Sequence, residues 1–475
     1  MEISALPDSE LLEVLKYLST EQLLQCRSVC RRWSLLALHT TLWLNRRLDY
    51  DPRSKFYVAV LSLAPCLRRL IILHSYKTDA WDILLSSSCA IFELMISFQE
   101  SDAWHVALLL SRDYFCRQAS LGRLKEVGLS LYNGPGDDSA NGQHLERGLC
   151  ALLLQICHTP GLESLALSFN VDDRVVRQAR SAMIPVPAFL KRLNFSDLEQ
   201  SPACVLLLLE RHAPTLEDVS VWTDDRRVVP LLASMPRLRE LQCHLLPDMP
   251  LLEQCQLKSL HLELMNTSLE TPTVVARLAG ARQLLRTVAT RLKELSVVFY
   301  NVSHEEENLF LGLGEGKTPA ALRSLEVLVD SNDGSDPVPS LMPLASILHR
   351  LPHLTNLEIY FFSPSDAFLE TLDGRVLPGL KKLSVHFPST DCQHKVAHSL
   401  PVQKLLRRYP RLHFIMGRGE TERAGCEFCD ENACHDLHDQ SWVVLFSHRD
   451  ESGCDVKHSD IAKGVFEMFI DTTIV

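Results

Sequence analysis

A chain of 475 residues with 46% apolar and 23% charged side chains has the make-up of a folded globular protein and not of a disordered one. Its formal charge of −11 argues against a general nucleic-acid binder, which needs a basic face to meet phosphates. Apolar runs such as Cys204 to Leu209 are far too short to span a bilayer, and Met1-Glu2-Ile3-Ser4 has neither the basic start nor the apolar stretch of a signal peptide. The 15 cysteines are odd in number and mostly stand singly in apolar patterns, so reduced core thiols in the cytoplasm or nucleus are expected.

The first forty-odd residues carry helical spacing. Leu11, Leu12, Val14, Leu15 and Leu18 recur at three- and four-residue steps on one helix face, with Asp8 or Ser9 placed to cap the first turn. Ser19 with Gln22 forms a capping box for a second helix, expected to run through Leu23, Cys26, Val29, Cys30 and Trp33. A third short turn ends at Leu42 and Trp43. So few residues bury their apolar surface only with help from a partner or a neighbouring domain. An N-terminal cap on a repeat protein would also serve.

The order Leu6-Pro7, then Val29-Cys30-Arg31-Arg32-Trp33, then Leu42-Trp43 resembles an F-box over roughly a tenth of the chain. Ser9-Glu10 departs from the family's usual acidic-then-aliphatic pair. The resemblance implies docking onto the small adaptor of an SCF-type cullin–RING ubiquitin ligase. Leu6, Pro7, Leu11, Leu15, Leu24, Cys30 and Trp33 would then contact the adaptor or form the core directly beneath it.

From residue 67 onward one phrase recurs, Leu-x-x-Leu-x-Leu with apolar substitutes. Its thirteen copies begin at Leu67, Ile91, Leu124, Leu162, Leu190, Leu216, Leu238, Leu257, Leu292, Leu322, Leu354, Leu380 and a weaker Leu412, at intervals of 19 to 38 residues. Proline stands two residues ahead in seven of them, at Pro65, Pro160, Pro214, Pro236, Pro352, Pro378 and Pro410, where it closes a helix and opens a strand. The segments before these prolines, such as Val205 to His212, Leu344 to Leu351 and Val402 to Tyr409, space their leucines helically. The pattern is similar to leucine-rich repeats, and the fold expected is α/β: a three-helix F-box followed by an irregular solenoid of strand–helix units. The irregularity is expected because the position eight after the first leucine is Asn only at Asn170, and elsewhere residues such as Tyr132, Asp224, Met265, Tyr300 or Phe362. Expected boundaries are 1–48 for the F-box, 49–66 for a linker or first helix, 67–418 for the repeats and 419–475 for a tail. Turn-rich loops are expected at Gly134–Gly142 and Asp330–Asp336, a loop at Gly312–Lys317, and a helix start at His304–Glu307.

Nucleophile motifs, phosphate-binding glycine loops and paired carboxylates in a recognisable context are absent, so no catalysis and no organic cofactor are expected. The tail holds Cys426, Cys429, Cys434 and His438 at spacing that suits structural zinc, with Cys454 and His458 as alternates. Exposed thiols or caps on the last repeat explain the same residues. Side-chain alternation places the third, fifth and seventh residues of each phrase on the concave face. There the early strands offer Ser130, Ala166, Ser168 and Ser196, and the later ones Trp222, Glu240, Glu263, Glu326, Glu358 and Tyr360, a surface suited to a basic substrate segment. The function expected is substrate receptor, bound through the adaptor to cullin and RING subunits. The alternative is a repeat scaffold or inhibitor without ubiquitin chemistry. A zinc tail meeting nucleic acid is a third, and binding by the convex side, loops or tail stays open.

Overall fold

The computed structural model describes residues 6–50, 54–73, 78–98, 104–131, 142–159, 161–168, 173–182, 184, 186–196, 202–264, 272–300, 308–329, 341–360, 365–372, 374–387, 396, 399–409, 411–418, 442–446 and 465–469. The chain divides into two compact units, Met1–Thr223 and Asp224–Val475.

The first unit opens with helices α1 (Asp8–Leu15), α2 (Thr20–Cys26), α3 (Arg31–Ala37) and α4 (Thr40–Trp43). Ser19 and Gln22 form the capping box at α2, with Gln22 N–H donating to Ser19 Oγ at 3.2 Å and Ser19 N–H to Gln22 Oε1 at 2.8 Å. Neither Asp8 nor Ser9 caps α1: Pro7 precedes it without a side-chain cap, and Asp8 is already helical. Asp8 instead accepts from Arg32 Nε at 2.8 Å, tying α1 to α3. The single second helix expected through Trp33 is two helices, because Cys30 is extended (φ −162°, ψ 170°) between α2 and α3.

Strand β1 (Arg47–Tyr50) follows, outside any leucine phrase, and α5 (Lys55–Leu63) leads into the repeats. These alternate as β2 (Cys66–Leu73), α6 (Thr78–Ser86), β3 (Ala90–Phe98), α7 (Trp104–Ser120), β4 (Glu126–Leu131), α8 (Gly142–Cys157), β5 (Ser164–Ser168), α9 (Asp173–Ala182), β6 (Arg192–Ser196), α10 (Ala203–His212) and β7 (Asp218–Trp222). Every neighbouring pair from β1 to β7 is parallel. The fourth-place residues Leu70, Leu94, Val127, Leu165, Leu193 and Val219 stand in one register and are all buried. A one-residue slip would turn them outward, so the leucine spacing fixes the pairing.

Gln118 on α7 is fully buried and serves the start of β3. Its Oε1 accepts from Ile91 N–H at 2.9 Å, while its Nε2 donates to Cys89 carbonyl and Tyr114 Oη, both at 3.1 Å. His212, at the end of α10, is also fully buried. Its Nδ1 accepts from Phe189 N–H at 3.4 Å and its ring meets Phe189 edge-on at 4.6 Å. Burial, helped by Arg211, pushes its pKa from 6.5 down to about 4. The folded chain therefore stays neutral where the unfolded chain takes up a proton. Stability from this group is complete above pH ~6.5 and drains away as pH falls to ~4, a loss of up to about 3 kcal/mol. Urea titrations at pH 7 and pH 4 should show His212→Leu losing less stability on acidification than the wild type. Parallel losses would exclude His212 as the source.

In the second unit α11 (Val228–Ala233) precedes β8 (Glu240–His244), and a 3-10 turn (Met249–Gln254) replaces the helix before β9 (Ser259–Leu264). Then come α12 (Pro272–Val288), β10 (Glu294–Phe299), α13 (Leu311–Gly314), β11 (Ser324–Val329), α14 (Met342–Ile347), β12 (Asn356–Tyr360), α15 (Asp366–Thr371), β13 (Lys382–Phe387), α16 (Leu400–Arg408) and β14 (His413–Arg418). Pairing is parallel from β8 to β14. Two strands from the expected tail extend the sheet: β15 (Trp442–Phe446) antiparallel to β14, and β16 (Val465–Phe469) parallel to β15. All thirteen leucine phrases thus coincide with strands β2 to β14, the strand–helix array of an irregular leucine-rich-repeat type.

The glycine-rich segment expected as a loop begins as α13. Gly312 is needed there because a Cβ would lie 2.4 Å from the Arg282 carbonyl oxygen on α12. Gly280 faces the Pro247 carbonyl in the same way, also at 2.4 Å, so two side-chain-free positions let the helical layer close up. The stretches at Gly134–Asn141, His304–Glu307 and Asp330–Asp336 lie outside the described residues.

Candidate functional site

Two surfaces gather the residues singled out from the sequence, one in each unit. In the first unit the amino-terminal helices close around Leu11, Leu15, Leu23, Leu36, Leu42 and Trp43. Trp43 Nε1 donates to the Ala37 carbonyl at 2.8 Å, and the Arg46 guanidinium caps chain ends at the Leu18 and Leu42 carbonyls at 2.6 and 3.1 Å. Such a core leaves little room for Leu11 and Leu15 outside it: both are fully buried and lie beneath the surface, not on it. Leu6, Leu24 and Trp33 are half-buried, and Pro7 and Cys30 are exposed.

Within these helices the most exposed apolar side chains are not among the expected adaptor contacts. Tyr17 is 91% accessible, Leu35 77% and Val29 61%. Helical spacing places Val29 inside the second helix, but the helix stops short of it and Val29 faces solvent. Isolated exposed apolar residues are ordinary. Here Val14 and Leu44 join them, so five of the twelve large exposed hydrophobics among the described residues fall between residues 14 and 44. That density along the sequence suits a domain that meets a protein partner.

In the second unit the strand register builds a polar face. Its fifth-place row reads Gln242, His261, Ser296, Glu326, Glu358 and Ser384, and its seventh-place row His244, Glu263, Val298, Leu328, Tyr360 and His386. Four of the expected substrate residues therefore share one face: Glu263 on β9, Glu326 on β11, and Glu358 with Tyr360 on β12. Glu240 is exposed one row away, at the start of β8. Trp222 ends β7 and belongs to the other unit.

Local contacts hold this face in shape. The Tyr300 hydroxyl donates to the Glu263 carboxylate, and His261 Nδ1 is 2.8 Å from Ser296 Oγ. Lys382 Nζ donates to Glu358 at 2.7 Å, and the Tyr360 ring stacks on His386 with centroids 3.8 Å apart. Burial first, then the Glu358 and Glu326 charges, push the Tyr360 hydroxyl up to about 12. Burial pushes His386 down to about 4 and lowers His261 against the pull of Glu263 and Glu326. Both imidazoles are thus neutral near pH 7, and the carboxylates set the sign of the face. Tyr300 and His386 escaped the sequence reading. In the sequence Tyr300 stands out only as a departure from Asn, eight residues after the first leucine.

Cys426, Cys429, Cys434 and His438 lie outside the described residues, as do Cys454 and His458. The described cysteines are free, and burial pushes the thiols of Cys89 and Cys243 up to about 12, which suits core packing and not nucleophilic chemistry. No helix among the described residues is long and apolar enough to cross a membrane.

No curated protein matches this chain. Among solved structures it is similar to a chain in the crystal structure of the Rad7 and Elc1 complex in yeast, at 18% identity and a TM-score of 0.40, covering 80% of this chain and 86% of that one. The F-box-like family matches residues 3–49, the stretch that contains all four short helices and the exposed Tyr17, Val29 and Leu35. The amino-terminal helices of this chain are an F-box-like domain.

Proposed function

We propose that this protein is the substrate receptor of an SCF-type ubiquitin ligase: its F-box-like domain binds the adaptor, and through it cullin and RING subunits, while its repeats hold a protein substrate. The observation that carries this reading is the concentration of exposed apolar side chains on an F-box-like domain joined to a long strand–helix array. The chain itself performs no chemistry. It raises the local concentration of substrate beside the charged conjugating enzyme, which is a gain in proximity. Reduced thiols throughout the described core fit work in the cytoplasm or nucleus.

Purification of the tagged full chain from cells should recover adaptor and cullin together. Recovery of a stable protein partner without either would favour the scaffold reading. Within the receptor reading, the acidic face around Glu263, Glu326, Glu358 and Tyr360 takes a basic substrate segment, with opposed charge steering the encounter. Glu263→Lys combined with Glu326→Lys should lower substrate recovery by about tenfold or more in enrichment with the proteasome blocked, with adaptor recovery unchanged. Undiminished substrate capture by that variant would remove the acidic face from the mechanism.

A further inference from the structure

The second place of each leucine phrase forms a column of its own. In the second unit it holds Arg239, Lys258, Lys293, Arg323, Thr355 and Lys381, and ends at a buried His413. Backbone hydrogen bonds join these residues in sequence: Lys258 N–H to Arg239 carbonyl at 2.7 Å, Lys293 to Lys258 at 2.8 Å, Arg323 to Lys293 at 2.7 Å, Thr355 to Arg323 at 2.8 Å, and Lys381 to Thr355 at 2.8 Å. The five cations are exposed. Among the described residues, Arg239, Lys258, Lys293 and Arg323 enter no ion pair. Glu240 and Glu294 stand one place further along, on the alternate side of the chain.

The same column in the first unit is built differently. There it begins with Arg68 and Phe92, and over β4 to β7 reads Lys125, Glu163, Lys191 and Glu217, joined by the same kind of backbone bonds. Glu163 lies between two lysines, 2.8 Å from Lys191 Nζ and 3.4 Å from Lys125 Nζ, and Lys191 holds its carboxyl below the usual range. The position thus accommodates alternating charge and neutralises itself in one unit. In the other it stacks like charges on adjacent rungs, an arrangement that repels itself until an anion arrives.

We infer that this basic ridge of the second unit binds an extended acidic peptide segment. Five strand spacings separate β8 from β13, about 24 Å in all, which an extended chain covers in about seven residues. A single row of cations fits one extended chain. A nucleic-acid duplex asks for a broad basic face, and the formal charge of −11 disfavours one. The ridge is distinct from the acidic strand face, and its partner adds to the receptor reading without depending on adaptor capture.

Anisotropy of a fluorescein-labelled oligoglutamate peptide of about eight residues, titrated with the full chain, tests this directly. Saturable binding that weakens with salt is expected, and Lys258→Glu with Lys293→Glu and Arg323→Glu should weaken it by about tenfold or more. Lys191→Gln, in the self-paired column, should leave it unchanged. Should the reversal variant melt early, the corresponding Gln triple variant decides, with a smaller loss expected. Absence of saturable binding, wild-type binding by a folded triple variant, or tighter binding of an oligothymidine of equal charge would each overturn the proposal.

Discussion

Leu35→Asp combined with Val29→Asp is expected to abolish adaptor capture while leaving the amino-terminal helices folded. Both side chains are mostly in solvent, 77% and 61% accessible, so a carboxylate at either disturbs no core. At an interface, truncating a buried anchor costs about 2 kcal/mol or more, and two together would weaken capture by about a thousandfold. Leu15→Asp should also abolish capture, by a different route. Leu15 is fully enclosed, and an unpaired carboxylate there unfolds the helices. Amide hydrogen exchange over residues 8–43 of the full chain, read beside adaptor titration, separates the two outcomes. Full adaptor affinity in a folded Leu35→Asp/Val29→Asp chain would sink the assignment of this surface and, with Tyr17→Asp equally silent, the receptor reading itself.

Gln118→Leu is expected to cost about 4 kcal/mol, because the substitution keeps the volume but strands Ile91 N–H and the Cys89 carbonyl in a dry site, each left unmet at about 1–3 kcal/mol. The amide also bonds Tyr114 Oη at 3.1 Å, whose hydroxyl burial keeps firmly protonated, so a third partner is left short. Gln118→Glu is the informative companion. Its carboxylate can still accept from Ile91 but can no longer donate to Cys89. Urea denaturation midpoints should therefore fall in the order wild type, then both variants well below. A Leu variant within 1 kcal/mol of wild type, about the worth of one ordinary hydrogen bond, would show that water reaches those groups.

Much of the fold was legible because burial enforces a period. Leucines at the first, fourth and sixth places of a phrase leave one strand register open, and prolines such as Pro214 and Pro236 mark where each helix must stop. Where that grammar lapses, so did the reading. Strand β1 alternates buried Leu48 and Tyr50 with exposed neighbours, but four residues carry too little pattern to stand out from the end of the helical domain. The Trp442–Phe446 run is uniformly apolar and has neither period. In the helical domain the three- and four-residue spacing runs straight through Val29, and nothing local announces that Cys30 will be extended.

The strand face was legible by alternation alone, which put Glu263, Glu326, Glu358 and Tyr360 on one side. Trp222 was grouped with them because spacing along a chain carries no sign of where one compact unit ends. Tyr300 was missed for the opposite reason. It sits just past β10, outside the alternating places, and reaches back to Glu263 by a side-chain bond. Gln118 likewise reaches β3 from a helix, a contact between elements that no local pattern encodes.

The reversal at β15 bears on how such a chain can change length over generations. A further copy of the strand–helix unit can be accommodated wherever the rung before and the rung after point the same way, as they do at each step from β8 to β14. Beyond β14 the neighbour runs backwards, and its hydrogen-bonding groups present the antiparallel spacing. A duplicated unit spliced there would meet donors and acceptors out of step. Duplications that survive in this lineage should therefore lie upstream of His413, so that the array lengthens from within while β15 and β16 are inherited as a fixed piece.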